Sequence, residues 1–418
     1  MKKILLILLF VHNIIFSELI IEITESSENL IRVAVVQKQQ ATKIGDLVVG
    51  VIEQDLKRTG EFEVLTKDQM LSIPTKESEV IQRDWLLLEV DAIIFLDIDE
   101  SRNNLDIKFL IYDVGYKDIS DDGKVLGLPD SLRQTSHFVS DEIYKYFYGI
   151  DGVSATKLMY VTKNENIHRL IISDSDGFNE QVILKSNQSI ISPTWSSDAK
   201  DIAYVSFENN RAQVFLHNLA TGKRESILAT GSTVSSPAWS PDKSKIAFSS
   251  TMDGNSEIYL MDLRSKKINR LTDNKAIDTE PAWSPDGKKI LFTSDRSGSP
   301  QIYEINPINL VKRRITTVGN YNARPSYVNK QKIIFVHRGT ESFQIAALDL
   351  RTREFEILTS TKNDESPCIA PNGNVIIYST KEGELSYLAG VNISSGVRFK
   401  LPAIYSELKE PAWSPFLR

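Results

Sequence analysis

A proline-aromatic motif returns through the second half of this chain at a nearly constant interval. Pro193-Thr194-Trp195-Ser196 recurs as Pro237-Ala238-Trp239-Ser240 and Pro281-Ala282-Trp283-Ser284. It weakens to Pro325-Ser326-Tyr327 and Pro367-Cys368-Ile369, then closes the chain as Pro411-Ala412-Trp413-Ser414. The prolines are 44, 44, 44, 42 and 44 residues apart. That period belongs to a four-stranded propeller blade. Within the clearest unit, Pro285-Asp286-Gly287-Lys288 is a turn in which Gly287 can take positive φ. Lys289 to Thr293 and Gln301 to Ile305 read as strands, Asp295 to Ser299 as a second turn, and Arg313 to Thr317 ends the unit. Two helical periods per repeat, as a helical solenoid requires, are absent.

The ends of the array set the blade count. Only one strand fits around Pro411, while three strand-like runs precede the first motif: Lys157 to Thr162, His168 to Ser173 and Gln181 to Leu184. Three plus one makes a blade, so the chain is expected to close a six-bladed ring with its C-terminal strand, leaving no open sheet edge. The repeated Trp and Pro are expected to pack between blades rather than bind anything. The repeated Asp-Gly pairs are turn chemistry.

The N-terminus differs. Met1-Lys2-Lys3 followed by the apolar run Ile4 to Phe16 and the small Ser17 reads as a secretory signal peptide, residues 1–17. The run is short for a bilayer span. Removing Lys2 and Lys3 makes the net charge of −6 two units more negative, which argues against a nucleic-acid partner. Cys368 is the only cysteine, so the exported chain folds without an internal disulfide.

Residues 18–149 are expected to form a small α/β domain ahead of a propeller over 153–418. Glu18 to Thr24 alternates polar and apolar, and Ile31 to Val36 is β-prone. Ile44, Leu47, Val48, Val51, Ile52 and Leu56 fall at helical spacing, with Gly60 as the stop. Glu61 to Leu65 reads as a strand, Val80 to Val90 as a helix with Trp85 on its apolar side, and Ala92 to Asp97 with Leu105 to Tyr112 as paired strands. Leu132, Phe138, Val139, Ile143, Tyr146 and Phe147 outline a last amphipathic helix, and Gly149 to Gly152 is a linker.

Enzyme chemistry finds little support. There is no G-x-S-x-G elbow, no H-E-x-x-H and no Gly-rich phosphate loop. His137 and Asp141, one helical turn apart, read as a helix-surface pair. Two alternatives remain: a glycan- or small-ligand-binding propeller, or the cap of a propeller-type peptidase, the latter disfavoured because no hydrolase domain is present. Channel carboxylates such as Asp278 and Asp364 are candidates to hold a tuning cation such as Ca²⁺; no other cofactor or metal site is indicated.

Several motifs resemble the TolB family, periplasmic components of the Tol–Pal cell-envelope system. They are His137, Ser140, Asp141 and Glu142 with Gly149-Ile150-Asp151-Gly152 and Lys157-Leu158-Met159-Tyr160-Val161 at the domain junction. Ser173-Asp174-Ser175-Asp176-Gly177, Pro281-Ala282-Trp283-Ser284-Pro285-Asp286 and Pro411-Ala412-Trp413-Ser414-Pro415 also match. The resemblance covers essentially the whole exported chain. It implies a non-enzymatic periplasmic hub, monomeric within its complexes and not inserted in a membrane, that serves outer-membrane integrity and constriction at division. It implies that the Pal lipoprotein binds at one propeller mouth, with colicins entering by imitating Pal there, and that TolA recognises the exported N-terminus. The Pal mouth would be built from the loops before each proline motif: Ile191; Thr233, Ser235 and Ser236; Asp278, Thr279 and Glu280; Asn320, Asn322 and Arg324; Asp364 and Glu365. Thr233 and Val234 depart from the His-bearing loop of the family. The TolA segment would be Glu18, Leu19, Ile20, Ile21, Glu22, Ile23 and Thr24, able to pair with a partner strand or to dock on its own sheet.

Overall fold

The computed structural model describes residues 20–22 (as backbone), 30–38, 42–101, 103–228, 232–339, 342–401, 405 and 407–417. The signal-peptide reading and Glu18, Leu19, Ile23 and Thr24 lie outside these residues.

The N-terminal part is a five-stranded sheet backed by helices. Its strands are β2 (Ile31–Gln37), β3 (Phe62–Leu65), β4 (Ala92–Glu100), β5 (Leu105–Asp113) and β6 (Asp118–Gly127), in the order β3-β2-β4-β5-β6. Thr42 caps α1 (Lys43–Thr59), its side chain accepting from the Gly45 N–H at 2.9 Å, and Gly60 ends it at φ 68°. The helix α3 (Leu132–Tyr148) packs beside α1 over β5 and β6, burying Val139 and Ile143 with Val48, Ile52 and Leu56.

Two expectations are corrected here. The run 80–90 forms only a short α2 (Gln82–Leu87), because Glu89 turns to φ 55° and Val90 bonds back to Trp85; Trp85 is buried as expected. The buried face of α3 is rotated from the apolar reading: Phe138 and Tyr146 are exposed while Thr135, Ser136, His137 and Ser140 are buried. The strand β6 was not anticipated. Its acidic run Asp118 to Asp122 hides the alternation, and as an edge strand it needs only one buried partner.

The rest is a six-bladed propeller. The first blade holds β7 (Lys157–Asn164), β8 (Ile167–Asp174) and β9 (Gln181–Ser186), and its innermost strand is Glu407–Trp413 from the far end of the chain. Trp413 pairs with Leu158 and Ala412 with Met159, so the ring closes as expected. Five contiguous blades follow, spanning 190–228, 234–270, 278–314, 321–357 and 365–400. The aromatic repeat bridges blades: the Trp195 indole donates to the Ala412 carbonyl at 3.0 Å and Trp283 to the Ala238 carbonyl at 3.2 Å, while Trp413 donates at 2.7 Å to Thr156 Oγ1, just ahead of β7 in its own blade. The turns repeat as well. Ser196, Ser240 and Ser284 each donate to the Asp two residues on and accept the N–H five residues on.

Candidate functional site

Every inner strand carries the same irregularity. The antiparallel register slips across the proline motif in all six blades. The residue before each proline, Ser192, Ser236, Glu280, Arg324, Ser366 and Glu410, stands at φ between 51° and 56°. A residue that precedes proline and carries a side chain rarely adopts this conformation. Six β-bulges in register turn these six side chains into the lumen, a channel of about 440 Å³ that the motif prolines and tryptophans also line.

The ring is not uniform. Arg324 reaches Glu280 Oε1 at 3.2 Å and Glu410 Oε1 at 3.3 Å, and also donates to Ser366. Burial opposes the charge on this guanidinium, but Glu410 and Glu280 more than compensate and raise its pKa. The Glu280 carboxylate is itself fixed, accepting from Thr293 Oγ1 at 2.7 Å and the Arg324 N–H at 2.9 Å. Serines 192, 236 and 366 complete the wall.

The predicted mouth residues separate into three groups. Ser236, Glu280 and Arg324 are half-buried lumen residues. Thr233, Asn320 and Glu365 are exposed at the end where the inner strands begin, with Ile191, Ser235 and Thr279 half-buried just inside. Ser235 bonds Ser249 at 2.9 Å, and Ser249 bonds Thr279 at 3.2 Å, tying neighbouring blades. Asp278, Asn322 and Asp364 are fully buried. Each sits three residues before its proline, where other blades place the buried Ile190, Val234 and Leu408. Asp278 is held by Arg296 at 2.6 Å and Asn274 at 2.9 Å; Asn322 by Gln301 and His337; Asp364 by the hydroxyls of Thr359, Thr361 and Thr380. These three side chains shape the loops from inside. The Asp278 and Asp364 carboxylates each bind within their own neighbourhood rather than converging on a shared centre.

Ser192, Ser366 and Glu410 belong to the ring yet were missed. Repeat register would have found them, since they hold the position of Glu280 before each proline.

The N-terminal domain lies at the opposite end. Asn372 and Asn374, in the turn after the last contiguous inner strand, reach the Asp151 carbonyl at 3.2 Å and Glu61 Oε1 at 3.3 Å. Asn392 donates to the Thr59 carbonyl at 2.6 Å. The segment β1 (Ile20–Glu22) is an added fifth strand on the outer edge of this same blade. Ile20, Ile21 and Glu22 pair with Lys400, Phe399 and Arg398. Within the described residues the segment docks on the propeller, not on the sheet of its own domain.

A closed propeller with a bulge-lined lumen, an α/β domain across one end and an N-terminal strand borrowed by a blade defines a class of two-domain scaffold. The TolB beta propeller domain matches over residues 144–417 and the TolB amino-terminal domain over 19–118. The chain is 46% identical over 375 residues to the Tol-Pal system protein TolB of Pseudomonas aeruginosa, covering 88% of this chain and 87% of that one. It is 43% identical over 412 residues to that of Hydrogenovibrio crunogenus, covering 96% and 95%. The crystal structure of TolB from Acinetobacter baumannii superposes with a TM-score of 0.88 at 34% identity, covering 96% of this chain and all of that one. The chain belongs to the TolB family, and with it to the Tol–Pal system.

Proposed function

We propose that this chain is a periplasmic, non-enzymatic protein-binding scaffold that links the outer-membrane lipoprotein Pal to the inner-membrane protein TolA, supporting outer-membrane integrity and constriction at division. Pal binds at the mouth where the inner strands begin, around Thr233, Ser235, Thr279, Glu280, Asn320 and Glu365; TolA takes the segment 18–24. Colicins that imitate Pal compete at the same mouth. No cofactor is needed for this activity.

The observation that carries the reading is the separate placement of two features. A mouth with fixed hydrogen-bonding side chains sits on a rigid scaffold, and on the outer edge of the last contiguous blade a three-residue strand, β1, is held through one edge among the described residues. A strand so held can leave for a partner edge at low cost. Among the described residues no helix is long and apolar enough to cross a membrane, in keeping with a periplasmic protein. The test is affinity for the Pal periplasmic domain and for a TolA domain, measured separately. Glu280→Lys places a cation against Arg324 and should weaken Pal binding at least about tenfold while TolA binding persists. Unchanged Pal affinity, in a variant with unchanged thermal stability, would locate Pal elsewhere.

A further inference from the structure

The domain interface contains a sealed cluster of ionisable groups that the scaffold reading does not use. His137 on α3 is fully buried and one turn from Asp141, but the two are not the surface pair that the sequence suggests. The His137 ring turns instead toward Asp55 on α1, with Nδ1 at 2.6 Å from Asp55 Oδ2. Nε2 points across the interface into the turn after β8. There it lies 3.9 Å from Asp174 Oδ2 and 3.9 Å from Asp176 Oδ2, with no hydrogen-bond partner of its own. Asp55, Asp174 and Asp176 are all nearly inaccessible to solvent.

The arrangement selects a charge state. A neutral imidazole donating from Nδ1 would aim its Nε2 lone pair at two carboxylates that are themselves buried and weakly screened. An imidazolium satisfies Asp55 with one N–H and directs the other between the two propeller aspartates. We propose that His137 is a buried cationic pin, protonated in the folded protein, that locks the N-terminal domain onto the first blade, and that loss of its proton lets the two domains open at the Gly149–Gly152 linker.

The surrounding groups fit a single added proton rather than a metal ion. On α1, Arg58 lies 3.3 Å from Asp55 and donates to Ser175 Oγ at 3.0 Å. On α3, Arg133 pairs with Asp176 and stands 3.6 Å from Asp174, while Asp141 accepts the Ser154 and Ala155 N–H groups at 2.7 and 3.0 Å. On β7, Lys157 pairs with Asp174. Arg58, Arg133 and Lys157 match Asp55, Asp174 and Asp176 one for one, so Asp141 alone is left to balance a further charge, enough for one proton on His137 but not for a divalent cation. The remaining carboxyl, Asp141, is raised by burial to about 7, so at neutral pH it supplies a partial counter-charge to His137. Burial alone would push the His137 imidazole down, but Asp55, with Asp174 and Asp176, outweighs it and holds the group up at about 9. The three other described histidines, His168, His217 and His337, are pushed down by burial.

The sign follows from linkage. A folded-state pKa above the unfolded value gives stability that is complete below the ordinary histidine range and is lost as pH rises through about 9. The test uses the full exported chain with labelled histidine, His137 being identified by its absence in H137Q. We expect its ring to titrate far above the other histidines. Amides of 153–156 and 173–178 should exchange about tenfold faster, after correction for intrinsic rates, once pH passes its midpoint. In H137Q they should exchange fast already at neutral pH. Should H137Q fail to fold, D176N replaces it: removing one propeller carboxylate should lower the His137 midpoint by about one unit. A His137 midpoint in the ordinary range, or interface exchange that ignores both H137Q and pH, overturns the proposal. So does a stoichiometric shift of the His137 resonance when Zn²⁺ is added to chelator-treated protein, which would make the cluster a metal site.

Discussion

Leu408→Ala tests ring closure most directly. Leu408 lies on the closing strand Glu407–Trp413 and pairs with Thr162 of β7. It is 1% exposed and packs with Leu158, Tyr160, Ile377, Leu388 and Phe399, so it touches the first blade and the last at once. Truncating a leucine this enclosed costs its transfer energy and leaves a cavity, about 3 kcal/mol together. Blades of a closed ring support one another, so the loss should fall on the whole propeller rather than on one edge. For a cooperative unit of this size that corresponds to a melting temperature lower by roughly 6–12 °C. Differential scanning calorimetry reads it, with the propeller transition moving as a single peak. A shift under about 2 °C would mean that the closing strand carries little of the ring's stability, and the reasoning would fail.

Three further outcomes are expected. Gly60→Ala should destabilise by at least about 2 kcal/mol in urea unfolding, because α1 ends there in left-handed backbone at φ 68° and the new Cβ would stand 2.3 Å from Val397 Cβ in the last blade. Acid should destabilise the protein as pH falls below about 4, since His137 and neighbouring cations hold Asp55 and Asp174 below the ordinary range against burial, and Lys243 and Ser196 hold Asp198 at about 2; urea midpoints across pH would show it. Deleting residues 18–24 should abolish TolA binding and leave Pal affinity within about twofold, because β1 docks on the outer edge of the last contiguous blade, apart from the mouth loops of the inner strands; an equal loss of both would place the two sites together.

The separate groups within the mouth show where sequence reading stops. Loops before each proline motif can be picked out by spacing alone, and Ile191, Thr233, Ser235, Thr279, Asn320 and Glu365 are exposed or half-buried where the inner strands begin. Regular alternation would put the residues one and three before the proline on the same face. The bulge breaks that alternation, sending Glu280 and Arg324 into the lumen while Asp278 and Asn322 are sealed between blades. The apolar Ile190, Val234 and Leu408 at the equivalent place in other repeats were the available signal for burial. The polar residues there obscured it, because a buried carboxylate with three hydroxyl partners, as at Asp364, looks in sequence like a surface one.

Sequence by itself determined what is periodic or local. A repeat of 44 residues, one leftover strand at Trp413 and three unclaimed strands from Lys157 require six blades and a shared one. Helical spacing with a terminal glycine requires α1. The tertiary structure decided what depends on residues far apart in the chain. The strand competence of Ile20 to Glu22 is legible, but its partner is Arg398–Lys400, at the other end of the chain. His137 has Asp141 as its neighbour along the helix, yet its partners are Asp55, 82 residues before it, and two aspartates of another domain. Periodicity records which face of an element is buried; it carries no record of what that face meets, because that choice is made by packing and charge only once the domains have come together.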